Sequence, residues 1–395
     1  MTAFVLIAYD ELSLKSKTIR DSFLNTLIHN ISDGLRKNGF RNLRVRTGPE
    51  HLFIDCEDYD ESLKISSLIK KVFGVAYCSP GFRKNVRDSS DLQKLIEENI
   101  HVLSSGKKKF ILQLRVSKNK IFPFKKTRTE ILQLITRSSI DLKPSTKSFD
   151  LEIFIEIRES EGYLFTEKIA GPGGFPVGTN GKAVCLISSG IDSPVACYEI
   201  MKRGVEPVFV HCNLDHYDNS GTNAQTTFET AKSLIKNWGY GLKDIVFYTV
   251  PFNSILEVVR EREYENPNTC IFCKRSMLAI AEQIAELEQA AGIVNGDNLG
   301  QVASQTIWNL NIVSRRVAIP VLRPLLTYNK RDIIDLGKKI GTFYVETTSG
   351  KCLAVPTNPN IKGALEEIER EEEALGLDEL VDEAVNSAKK ELITF

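Results

Sequence analysis

No stretch of this 395-residue chain approaches the roughly 18 consecutive apolar residues of a membrane-spanning helix, so no membrane partner is expected. Net charge is missing too. Lys plus Arg and Asp plus Glu each total 51, and only local clusters can indicate a partner. The apolar start at residues 3–8 has no basic leader and runs into Tyr9, Asp10 and Glu11, as a first β-strand does and a signal peptide does not. Eight cysteines in so long a chain, without a secretion signal, do not suggest a disulfide framework. The phosphate-binding pattern G-x-x-x-x-G-K-[ST] is also absent. Together these absences point to a soluble, cytoplasmic protein whose nucleotide chemistry, if any, is not of the Walker kind.

The length instead predicts two or three domains, and a hydrophobic content of 42% supplies cores for them. A strand at 3–8, a helix over 20–37 and strands at 43–46 and 51–55 suggest a small α+β unit ending near Val72. From 73 to 168 the pattern stays mixed, with helices over 92–103 and 128–138 and strands over 109–116 and 151–157. A basic tract lies there: Lys107, Lys108, Lys109, Arg115, Lys118, Lys120, Lys125, Lys126 and Arg128, interleaved with Phe122 and Phe124. Such a tract can hold a phosphate backbone and stack on bases, or be a solvated loop.

The Gly- and Pro-rich run at 171–182 marks a boundary, after which the pattern changes. Short apolar strands at 183–187, 207–211, 245–250, 292–295 and 317–319 alternate with helical segments near 194–203, 222–237, 272–290, 301–310 and 329–340. That alternation predicts a parallel sheet covered on both faces. The last 35 residues are acidic and read as helical.

The first of these strands runs into Ser188, Ser189, Gly190, Ile191, Asp192 and Ser193, with Pro194 opening the next helix. A tight turn there can aim backbone N–H groups and a helix N-terminus at an anion. Gly190 permits close approach, Ser188 and Ser193 add hydroxyls, and Asp192 could organise magnesium on a pyrophosphate. A serine-rich turn can equally be structural.

The flanking residues extend the pattern. The run G-G-F-P-V-G-T-N-G-K-A-V-C-L-I-S-S-G-I-D-S-P-V-A at 173–196 resembles the PP-loop signature of the tRNA 4-thiouridine synthetases. So do G-D-N-L-G-Q-V-A-S-Q-T at 296–306 and L-R-P-L-L-T-Y at 322–328, and Y-D-E-L-S-L-K-S at 9–16 is similar to the family's opening motif. The resemblance implies an α/β multidomain protein: a ferredoxin-like α+β domain over 1–72, a THUMP RNA-binding domain over 73–168, and a parallel-sheet PP-loop ATP pyrophosphatase domain over 172–395. It implies that Leu186, Ile187, His211, Lys274, Gly296 and Gln305 join the loop in contacting ATP. The basic tract then becomes a tRNA surface, with Lys107, Lys109, Arg115, Lys118, Lys120, Lys125, Lys126 and Arg128 as its candidates. Read from the residues alone, His211 would be a satisfied polar group and Lys274 a solvated one.

Two departures qualify the resemblance. Ser189 replaces the first glycine of the usual S-G-G-x-D-S, which would strain the loop by roughly a kcal/mol if that position needs positive φ. The chain also stops at Phe395 without the rhodanese domain from which bacterial members receive a persulfide.

Cys56, Cys78, Cys185, Cys197 and Cys212 sit mostly among apolar neighbours and read as small core residues. Cys270 and Cys273 form C-I-F-C at a helix start, and Cys352 lies far off in S-G-K-C-L-A-V-P. Spacing alone allows zinc, a redox disulfide or coincidence. By resemblance to the archaeal, three-cysteine version, these three hold an iron–sulfur cluster, four-iron in the expectation, with zinc as the alternative. Cys270, Cys273, Cys352 and Asp192 are then the catalytic candidates, ATP, Mg²⁺ and the cluster the cofactors, and tRNA and sulfide or another sulfur donor the partners. A homodimer is carried as an expectation.

The reaction so implied is adenylation of a uridine, at position 8, at O4, followed by sulfur insertion to give 4-thiouridine. A PP-loop enzyme thiolating cytidine or amidating a small molecule, and a non-catalytic RNA-binding protein with a degenerate nucleotide site, stay open.

Overall fold

The computed structural model describes residues 2–9, 11, 16–48, 50–117, 121–138, 142–214, 217, 223–260, 266–343 and 352–394. Two compact units divide the chain, Met1–Gly174 and Phe175–Phe395. Among the described residues, no helix is long and apolar enough to cross a membrane.

The first unit carries strands β1 (Thr2–Tyr9), β2 (Val45–Thr47), β3 (Leu52–Cys56), β4 (Val75–Asn85), β5 (Lys109–Ser117), β6 (Lys143–Pro144), β7 (Leu151–Arg158), β8 (Glu161–Phe165) and β9 (Ile169–Ala170). Its helices are α1 (Lys17–Lys37), α2 (Tyr59–Ile69), α3 (Ser89–Glu97), α4 (Ile100–Leu103) and α5 (Phe124–Arg137). The strand order is β2-β3-β1-β4-β8-β7-β5-β6, with β9 also on β4. Because β4 pairs with β1 on one side and β8 on the other, the sheet is continuous past residue 72. Alternation along β7 puts Ile153, Ile155 and Ile157 in one core with α3 and α5, while Phe154 packs on Phe165 on the other face.

The helix expected over 92–103 is two. Asn99 turns its side-chain amide onto the Leu95 carbonyl at 2.6 Å, and α4 starts anew at Ile100. In the basic tract, Phe122 is core and Phe124 is half exposed. Arg128 donates to the Leu112 carbonyl at 3.0 Å and Arg115 pairs with Glu50 at 2.8 Å. Lys109 reaches Ser148, Lys126 faces Glu130, and Lys107 and Lys125 are exposed. Lys118 and Lys120 lie outside the described residues.

The second unit is a six-stranded sheet in the order β14-β13-β10-β11-β12-β15. Its strands are β10 (Lys182–Leu186), β11 (Glu206–Asn213), β12 (Ile245–Pro251), β13 (Ile293–Val294), β14 (Val321–Leu322) and β15 (Lys389–Ile393). Its helices are α6 (Asp192–Met201), α7 (Asn223–Trp238), α8 (Asn253–Arg260), α9 (Thr269–Glu288), α10 (Ile307–Ser314), α11 (Lys330–Ile340), α12 (Leu365–Leu375) and α13 (Leu377–Asn386). Strands β10 to β14 are parallel, as their unbroken apolar runs require when helices cover both faces.

Three expectations are corrected here. The strand placed at 317–319 is β14, four residues on, because Glu282 accepts the amides of Ala318 and Ile319 at 2.7 and 3.1 Å and takes them out of any ladder. The segment over 301–310 is a 3₁₀ turn at Ala303–Gln305 and then α10, whose N-cap hydroxyl, Thr306, accepts from the Asn309 amide at 3.3 Å. The acidic tail is helical through α12 and α13, but then forms β15, antiparallel to β12, so the sheet is mixed at one edge.

Candidate active site

The chain lays down β10, β11 and β12 outward in one direction, then returns to place β13 and β14 on the other side of β10. Ligands bind beyond the carboxyl ends of strands at such a reversal. Two segments meet there, the loop after β10 and the turn after β13. A Cβ on Gly296 would lie 2.9 Å from the Ser193 nitrogen and 3.0 Å from the Asp192 carbonyl carbon, so only glycine lets the second turn reach the first.

The loop after β10 is held by its own hydroxyls. Ser193 Oγ accepts from the Ser188 amide at 2.8 Å, the two hydroxyls share a bond of 2.9 Å, and the Gly190 amide donates to Ser188 Oγ at 3.3 Å. Ser189 is not strained: among the described non-glycine residues only Glu159, Asp244 and Gln289 have positive φ. The expected strain is therefore absent, because the loop passes this position with an ordinary backbone. Asp192 opens α6, and its carboxylate is clasped by Lys330, the first residue of α11, at 2.7 and 2.8 Å.

A cavity of about 190 Å³ lies against this loop. Of the residues singled out in sequence as nucleotide contacts, Leu186, Ile187, Ser188, Ser193, His211, Lys274 and Gly296 line it. Gly190 and Asp192 belong to the adjoining loop, and Gln305 reaches the site through Asp297. His211 is buried and its Nδ1 donates to the Ile187 carbonyl at 3.1 Å, which fixes the ring against the strand end.

Asp297 is the charge at the floor of the site. It is 4% exposed and accepts from Asn295 at 2.8 Å, Gln305 at 3.2 Å and Arg323 at 3.2 Å, and pairs with Lys274. Burial pushes its carboxyl upward, but Lys274 and Arg323 outweigh burial and hold it below the usual carboxylate range. The side-chain oxygen of Gln305, Oε1, is buried without a hydrogen-bond partner among the described residues, while its amide nitrogen holds Asp297. Asp297, Arg323 and Lys330 were not singled out from sequence. The first two stand inside the quoted motifs and Lys330 two residues beyond one, but no spacing rule marks them as converging.

A second cavity, of about 510 Å³, adjoins the first: Leu214, Lys274 and Met277 line both. Cys270, Cys273 and Cys352 all line this second cavity. The first two share a face at i and i+3 on the opening turns of α9, and Cys352 is brought back by the segment leading to α12. That segment is pinned. Asn309, fully buried, donates to the carbonyls of Ala303 and Asn360 at 2.8 Å each and accepts from the Gly363 amide at 3.0 Å. Cys352 is exposed.

Burial, with Cys352 and Cys270 nearby, raises the Cys273 thiol well above the ordinary value, and Lys274 offsets part of that. Burial raises Cys270 as well. Among the described residues the three thiols are not closed into a ready ligand set, and residues 344–351, just before Cys352, lie outside those residues. The other five cysteines are buried, as their apolar surroundings imply, although Cys212 also borders the first cavity.

Comparison with known proteins agrees with this geometry. The family described as "Thiamine biosynthesis protein (ThiI)" matches residues 178–377, and the "ThiI ferredoxin-like domain" matches residues 4–79. A probable tRNA sulfurtransferase of Methanosarcina mazei is 32% identical over 98% of this chain and 95% of its own length. One from Methanocaldococcus jannaschii is 32% identical over 94% and 97% respectively. Among solved structures, a 4-thiouridine synthetase in complex with RNA and ATP superposes with a TM-score of 0.84 at 27% identity, covering 99% of this chain and all of that one.

Proposed function

Because the chain belongs to the ThiI family of tRNA sulfurtransferases, we propose that its two adjoining cavities divide one reaction, ATP-dependent thiolation of a tRNA uridine. The observation that carries this reading is the shared wall. Lys274 and Met277 face both the loop that suits a nucleotide's phosphates and the cavity lined by three thiols.

In the first step, uridine O4 attacks the α-phosphate of ATP, giving an adenylated base and pyrophosphate. The chain supplies position and charge. The N-terminus of α6 and the loop amides face the phosphates, and Lys274 and Lys330 stand at the two sides of the loop as cations. Asp297 keeps Lys274 aimed without a flexible search, and Lys330 balances Asp192. Magnesium, if bound, would find its carboxylate at Asp192. In the second step, sulfide-level sulfur adds at C4 and AMP leaves carrying the former O4, an exchange that needs no oxidant or reductant.

Cys270, Cys273 and Cys352 fit an iron–sulfur cluster in donor chemistry: three soft ligands line a cavity large enough for a small inorganic group, with no fourth cysteine on its wall. Structural zinc ordinarily takes four ligands and fits less well. A cluster there would supply one open coordination position for soft sulfur beside the activated base. Residues 73–168 serve as the THUMP-type tRNA-binding half in this reading, with the exposed Lys107 and Lys125 among its cations.

Anaerobic purification tests the cluster. The wild type should contain iron and acid-labile sulfide in a charge-transfer chromophore, and Cys273→Ala should lose both. Absence of iron in the wild type would remove the cluster from the account.

A further inference from the structure

Several large apolar side chains stand exposed around the three-thiol cavity. Val302 and Val355 line it and are each about half exposed. Next to them, the Ala303–Ser304 wall runs straight into α10, whose first turn presents Ile307 at 61% and Trp308 at 53% exposure. The Asn360–Gly363 segment lies alongside, tied by the Thr306 hydroxyl to the Ile361 carbonyl at 2.7 Å. It places the Lys362 ammonium 5.3 Å from the centre of the Trp308 ring.

An indole half out of water on a helix whose next residues, Asn309 and Leu310, are buried is not there to fill the core. Its position is fixed from both sides, since Asn309 beneath it clamps the Lys362 segment. Lys362 makes no ion pair among the described residues, whereas Lys274, Arg323 and Lys330 are all engaged by carboxylates. A half-exposed π-face four residues along the chain from the cavity-lining Ser304, carrying a lysine three residues from Pro359 that makes no ion pair among the described residues, matches what single-stranded nucleic acid requires. Bases stack on aromatic faces whatever their identity, and the cation meets the adjoining phosphate.

We propose that Trp308 and Lys362 form a platform for a nucleotide of tRNA next to the target uridine, the ring taking the base and the ammonium the phosphate. The proposal rests on the reading of the chain as a tRNA-thiolating enzyme. A uridine whose O4 is to be reached must leave its stack. A neighbour held on Trp308 keeps the opened strand at the cavity mouth. The acidic α12, which starts three residues after Lys362, repels RNA from its own surface.

The chain has two tryptophans, and the other, Trp238, is buried with its indole N–H on the Ile340 carbonyl at 3.0 Å. Quenching of emission by tRNA therefore reports on Trp308. The expected result is quenching in the wild type that disappears in Trp308→Phe. Trp308→Ala should raise the KM for tRNA by roughly ten- to a hundredfold, much more than it lowers kcat, with the KM for ATP unmoved. Lys362→Gln should reduce the salt dependence of tRNA binding by about one unit of slope. If the wild type thiolates tRNA but Trp308→Ala has the wild-type KM, the platform is wrong. If Trp308 emission shifts with protein concentration in the absence of tRNA, a second copy of the chain covers the ring and the proposal is overturned. Quenching by tRNA in a wild type that makes no 4-thiouridine would support the platform while removing the reaction assigned to the site.

Discussion

Asp297 shows how little of an active site's electrostatics a motif reveals. Its place in G-D-N-L-G-Q is visible in sequence, but its role comes from convergence of Lys274 from α9, Arg323 from the segment after β14 and Gln305 from the 3₁₀ turn. Lys330 was hidden for the same reason: it meets Asp192 across 138 residues of chain. What was legible were residues whose type and local position carry chemistry, such as Ser188, Gly190 and Ser193 in a strand-to-helix turn. Ser189, the departure from the usual glycine, sits at ordinary φ. Ser189→Gly should therefore relieve no strain, and nucleotide affinity measured by calorimetry should stay within about twofold of wild type. A tenfold gain would mean that serine does distort the loop.

Among the elements, α9 carries the heaviest demand, since its first turns present Cys270, Cys273 and Lys274. Besides the apolar face it buries in the core, α9 is tied to the rest of the unit by Arg275, whose side chain is 2% exposed and makes a two-pronged bond to Glu372 of α12 at 2.7 and 2.6 Å. Arg275 also donates to the Ile312 carbonyl at 2.6 Å. The acidic tail is thus a strap that locks the helix holding the thiols, not merely a solvated face. Glu372→Gln leaves the guanidinium buried against a neutral partner and should cost about 3–5 kcal/mol of unfolding free energy by denaturant titration. A loss below about 1 kcal/mol would mean that the strap does not hold α9. Helices and buried strands were readable from their periodicity. The position of β14 and the existence of β15 were not, because each depends on which distant partner takes the backbone amides: Glu282 in one case and β12 in the other.

For the molecule as a whole, the parallel sheet brings residues from positions 186 to 352 to one edge, at the reversal between β10 and β13. Two cavities form there with a common wall. The division of labour between them is the central claim: ATP activates the base on one side of Lys274, and sulfur arrives from the other. The most direct test is to incubate unmodified tRNA anaerobically with the protein, ATP, magnesium and sulfide, then digest it to nucleosides and separate them. The account predicts 4-thiouridine that requires ATP and is lost in Cys270→Ala, Cys273→Ala or Cys352→Ala. tRNA that is bound normally but released without 4-thiouridine would contradict it.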